Sequence, residues 1–156
     1  VMNNFMNPNQ LILKIILGVQ KDLKEKKELM PFFFIGVGDE THIIGTQFDG
    51  EESKDATVAF IKNFIKEKNA DWVLFVAESW ALRAKGKEAY EEYQKQRHKY
   101  KNLGEYPGSK DVVLFNLETR NDGKHMGYAD ILEKRKMGDI NWQKDPRAVG
   151  RMTGFF

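Results

Sequence analysis

Two stretches of this chain place a carboxylate at the same point of the same pattern. Asp71-Trp-Val-Leu-Phe-Val-Ala-Glu-Ser-Trp80 and Asp111-Val-Val-Leu-Phe-Asn-Leu-Glu-Thr-Arg120 both open on Asp. Both run through β-branched and aromatic residues and carry glutamate at the eighth position, Glu78 and Glu118. As neighbouring strands in register they would bring these carboxylates together, where like charges raise one pKa or hold a divalent cation. Asp130 and His125, on the stretch that follows, are the further ligands on offer, and the cation would be Mg²⁺ or Mn²⁺. The chemistry would be that of a metal-dependent hydrolase or nuclease. Glu118-Thr-Arg120 stands near the Glu-x-Lys half of a nuclease pattern, but arginine is a poor proton donor. The pattern's Asp also comes from an earlier strand, whereas Asp111 shares a strand with Glu118. Carboxylates at strand ends are more commonly solvated or paired with Lys or Arg, so the cation site is the alternative reading.

The leading reading is a binding protein without a catalytic centre. Between Arg83 and Asn102 lie Arg83, Lys85, Lys87, Lys95, Arg97, Lys99 and Lys101 against Glu88, Glu91 and Glu92, a local charge of +4. Tyr90, Tyr93, Arg97 and Tyr100 recur at i, i+3, i+7 and i+10, one face of a helix. Basic groups beside tyrosines grip phosphates and stack on bases. The plainer expectation is a solvated helix that rests its tyrosines on a sheet and keeps its lysine heads in water. The partner is thus an unknown protein or a nucleic acid, and a second copy of the chain is a further expectation.

Other chemistries are excluded by what is missing. The chain has no cysteine, which removes disulfides, thiolate nucleophiles and Cys-ligated zinc. His42, His98 and His125 are scattered, with no two at metal-ligand spacing. Gly36-Val-Gly38-Asp-Glu-Thr41 lacks the third glycine of a dinucleotide fingerprint and leads into a strand rather than a helix. The net charge of +2 is too mild to imply nucleic acid by itself. No run approaches the roughly 18 apolar residues of a membrane span, and no basic leader precedes Leu11–Leu17. A cytoplasmic protein that does not engage membranes is therefore expected.

The elements that must position these residues can be read from periodicity. At 156 residues, with 41% hydrophobic and 31% charged, one domain is expected. Ile12, Ile15, Ile16, Val19 and Leu23 form one helical stripe of a helix predicted over about Asn9–Leu29 and ended by Pro31; Leu11, Leu13 and Leu17 widen the stripe, which predicts that the first half is well buried and the charged second half is not. Phe32–Val37 and His42–Phe48 predict a hairpin. A second helix is predicted to about Lys68, capped by Ser53 at its start and Asn69 at its end, with stripes Ala56/Phe60/Phe64 and Thr57/Ile61/Ile65. The two Glu-bearing strands follow, separated by the basic segment, whose stretch Lys87–Lys101 is predicted helical. Asn121-Asp-Gly123 predicts a type I′ hairpin to a strand from Lys124, and Ile140–Trp142 a short last strand. The order α-β-β-α-β-α-β-β gives an α+β single domain. Its mostly antiparallel sheet of about five or six strands is covered by two amphipathic helices.

Phe75-Val-Ala-Glu-Ser-Trp80, the turn Tyr106-Pro-Gly108 and Lys110-Asp-Val-Val-Leu-Phe-Asn-Leu-Glu118 together resemble a group of small uncharacterised α+β proteins of prokaryotes and their viruses or mobile elements. In that group a strand with Glu-x-Trp precedes a Val-rich strand ending in Glu. The resemblance covers Asp71–Glu118. It implies a prokaryotic or mobile-element source and no activity.

Overall fold

Val73, Leu74, Phe75 and Val76 are all buried, as are Val112, Val113, Phe115 and Leu117. Neighbouring residues on a strand point to opposite faces, so strands buried in this way need cover on both sides. The computed structural model describes residues 7–25, 29, 31–45, 50–82, 86–144 and 154–156, and it supplies that cover. The chain order is α1 (Pro8–Leu11), α2 (Leu13–Glu25), β1 (Phe32–Val37), β2 (Glu40–Gly45), α3 (Glu51–Lys68), β3 (Trp72–Ala81), α4 (Gly86–Gln96), β4 (Lys110–Thr119), β5 (Gly123–Asp130) and β6 (Asn141–Lys144). The strands form one antiparallel six-stranded sheet in the order β2-β1-β3-β4-β5-β6. This is the expected α+β single domain, with β3 and β4 at its centre.

Each long helix covers one face. Ile12, Ile16, Val19 and Leu23 pack with Leu74, Val76, Val113, Phe115 and Leu117. Val58, Ile61 and Ile65 of α3 pack on the other face with Phe33, Ile35, Val73 and Phe75. Both β2 and β3 run antiparallel to β1, so α3 is a crossover between two parallel strands that flank it. The Phe32–Ile35 run is therefore interior: Phe33 and Ile35 are fully buried in the second strand of the sheet.

Several local expectations need correction. Leu13 and Leu17 are 52% and 55% exposed, because a single helix on a sheet buries a stripe and not a half-cylinder. Phe60 is exposed for the same reason, its neighbours Ile61 and Ile65 having taken the buried stripe of α3. Gly50, not Ser53, is the N-cap of α3, and Ser53 lies inside the first turn. Asn69 closes that helix in the left-handed conformation, as expected. The β4–β5 connection is the three residues Arg120–Asp122, with Thr119 paired to Gly123. Only Gly123 has positive φ there, so the type I′ turn gives way to a three-residue loop followed by a left-handed glycine. The predicted ends of the first helix near Leu29 and of the hairpin strand near Phe48 lie partly outside the described residues.

Candidate nucleic-acid interface

The carboxylates singled out above do not meet. In the β3–β4 register Glu78 faces Val113 and Glu118 faces Val73. The two glutamates therefore project from opposite faces of the sheet, and they stand five residues apart along it, about 17 Å at strand rise. Antiparallel pairing sends equal positions of two strands to opposite ends. His125, opposite Leu117, is on the Glu78 face, whereas Asp130, opposite Val112, is on the Glu118 face. Among the described residues no group of three or more His, Asp or Glu is placed to hold a metal. The Mg²⁺ or Mn²⁺ site built on Glu78, Glu118, Asp130 and His125 is not formed.

Glu78 and His125 are held by other partners instead. Glu78 accepts the N–H of Leu29 at 2.7 Å and pairs with the guanidinium of Arg135. Arg135 Nε also donates to the Leu23 carbonyl at 2.8 Å, tying the end of α2 to the sheet. Arg135 and Lys134 sit at φ 57° and 60°, a strained region for residues other than glycine, and the bonds of Arg135 hold that turn. His125 is buried, its Nε2 3.1 Å from Asp122 Oδ2, and Lys144 Nζ donates to Asp122 Oδ1 at 2.8 Å. The Lys144 hydrogen bond, then its charge and those of His125, hold the Asp122 carboxyl below its ordinary 3.8 despite opposing burial.

The basic segment is built differently. Ala81 and Lys110 face each other as the last pair of β3 and β4. A hairpin at that point closes with two to five residues, yet residues 82–109 intervene. Their helix, α4, contains no buried residue. It ends at Gln96, and Arg97–Lys99 tighten into a 3₁₀ turn that leaves Tyr100 extended. The single helical face expected to run from Tyr90 to Tyr100 is thus broken.

The tyrosines gather in another way. Tyr93 and Tyr100 both meet Tyr106 edge-on, with ring centroids at 5.0 and 5.2 Å and interplanar angles of 87° and 72°. Edge-to-face pairs of this kind contribute about 0.5–1.5 kcal/mol each beyond area burial. The chain turns back to place Tyr106 there because the Asn102 side chain accepts the Glu105 N–H at 3.2 Å, while Glu105 Oε2 accepts the Lys101 N–H at 3.0 Å. Gly104 seats this turn on the sheet, since a Cβ at that position would lie 2.5 Å from the Trp80 indole nitrogen.

An indentation of about 210 Å³ lies among the three rings, lined also by Arg97, His98 and Lys101. Lys87, Lys95, Arg97, Lys99 and Lys101 are exposed, and so is Tyr90, whose hydroxyl accepts a bond from the Gln94 amide at 2.6 Å. Arg83 and Lys85 lie outside the described residues. Sequence reasoning missed Tyr106 and set His98 aside. An aromatic residue in a polar loop that has no core of its own was the available signal.

The class defined by this geometry is an open antiparallel sheet with a helix on each face and an elaborated loop between its two central strands. No family model, no curated protein and no solved structure matches the chain. Among the described residues no helix is long and apolar enough to cross a membrane.

Proposed function

We propose that this chain is a binding protein that contacts single-stranded nucleic acid through residues 82–109. The observation that carries the reading is the insertion itself, a helix with no buried residue placed where a short turn would close the hairpin. Long loops on a rigid scaffold are where binding residues concentrate. Exposed Lys95, Arg97, Lys99 and Lys101 supply phosphate contacts, and Tyr90 with the Tyr93–Tyr100–Tyr106 cluster supplies ring surface. An indentation of about 210 Å³ suits one unstacked base and not a base pair, which favours single strands.

The test is fluorescence polarisation with labelled single-stranded and duplex oligonucleotides at rising salt. Single strands should bind more tightly, with log K falling against log[salt] by about 0.7 per neutralised phosphate. Tyr93→Ala should cost about 1–3 kcal/mol if that ring stacks on a base. Charge reversal of Arg97 and Lys101 should lower the salt slope. No retention of either oligonucleotide at low salt would remove nucleic acid and leave a protein as the partner of this surface.

A further inference from the structure

At the other end of the β3–β4 pair a buried acid holds a separate piece of chain in place. Glu118 is 3% exposed. Its Oε1 accepts the N–H of Gly154 at 2.8 Å, and its Oε2 accepts the N–H of Phe155 at 3.1 Å. A buried carboxylate is costly unless its oxygens are satisfied. Here the satisfying bonds fix the backbone that carries Phe155 and Phe156. The Phe155 ring is buried against Phe33, with centroids 5.8 Å apart.

The segment so fixed is one wall of a pocket of about 410 Å³, within the size range of small-molecule sites. From α3 come buried Ile65 and exposed Lys62 and Lys66, one helical turn apart. Arg120 contributes from the β4–β5 loop, where its guanidinium donates to the Ala70 carbonyl. Among the described residues the lining thus combines Ile65, Phe155 and Phe156 with three cations and Asn69, and includes no Asp or Glu. Among the described residues neither Lys62 nor Lys66 has a carboxylate partner.

We propose that this pocket binds a small amphipathic anion, a carboxylate with an alkyl or aryl body. The apolar body lies against Ile65, Phe155 and Phe156, and the charge faces Lys62, Lys66 and Arg120. An inorganic anion would leave the aromatic wall unused, and a neutral apolar molecule would leave three cations unused. The proposal is independent of the surface at residues 82–109.

Calorimetric titration of the full chain with octanoate, 3-phenylpropionate, 1-octanol and inorganic phosphate tests it. At least one carboxylate should bind, and whichever body is preferred identifies the alkyl or the aryl class. Octanol and phosphate should both bind at least fivefold more weakly. Lys66→Glu should weaken carboxylate binding by about fivefold or more, and Phe156→Ala should weaken it as well. Both positions are exposed, and unchanged circular dichroism confirms that the variants fold. The proposal is overturned if neither carboxylate binds, if octanol or phosphate matches them, or if Lys66→Glu leaves the affinity unchanged.

Discussion

The segments ending in Glu78 and Glu118 are near copies of each other, lie side by side, and put their glutamates to different uses. Glu118 is buried, and both of its oxygens accept backbone N–H groups from residues 154 and 155. Glu78 is half-buried and bonds to the Leu29 N–H and to Arg135. One fastens residues 154 and 155 to the α3 face, and the other fastens α2 to the opposite face. Position within a strand does not set the partner of a side chain. The register does, because a pairing offset of odd parity sends matched positions to opposite faces.

The largest effect is expected at Glu118. Glu118→Ala removes the acceptor of two N–H groups and opens space beneath Phe155, and it should lower stability by about 3 kcal/mol. Chemical denaturation measures the loss, and hydrogen exchange should show deprotection of the Gly154 and Phe155 amides. A loss below 1 kcal/mol would mean that residues 154 and 155 are held by the Phe155 ring alone.

Glu78→Ala should cost less, about 1–2 kcal/mol, because its partner Arg135 is partly solvated and screened. The double variant tests whether the two glutamates act independently. Residues on opposite faces and distant along the sheet share no partner, so the two losses should add within about 0.5 kcal/mol. Mg²⁺ or Mn²⁺ should raise the melting temperature of neither parent nor variants. Strong non-additivity or a metal-dependent rise would restore the shared site.

The smallest effect is expected at the Asp122–His125–Lys144 cluster. The folded-state pKa of Asp122 lies below its ordinary 3.8. Its contribution is therefore present above the unfolded value and disappears as pH falls through the folded one. Asp122→Asn should lower stability by about 0.5 kcal/mol near neutral pH and flatten the acid limb of the stability curve. Parallel acid limbs for the two proteins would show that the carboxylate has no folded-state preference for its charged form.

The insertion at residues 82–109 shows where reading residues in order was informative and where it was not. Its charge, its helix and its tyrosines were visible, because propensity and composition are local. The break at Gln96 and the meeting of Tyr93 and Tyr100 on Tyr106 were not. They depend on the chain doubling back through Asn102–Glu105. The same holds for the pocket beside Phe155. The pattern around Glu118 suggests a metal ligand, whereas Glu118 binds a segment 36 residues onward.

By itself the sequence determined the elements and their class: two covering helices, central strands at 71–80 and 111–119, and a hairpin after them. Helix and strand periodicities are properties of neighbours a few residues apart, and burial on both faces follows from uninterrupted apolar runs. Tertiary structure alone decided the strand order, the parity of the β3–β4 register, and hence which charges meet. Those depend on contacts between residues far apart in the chain, where a shift of one position exchanges every side chain between faces.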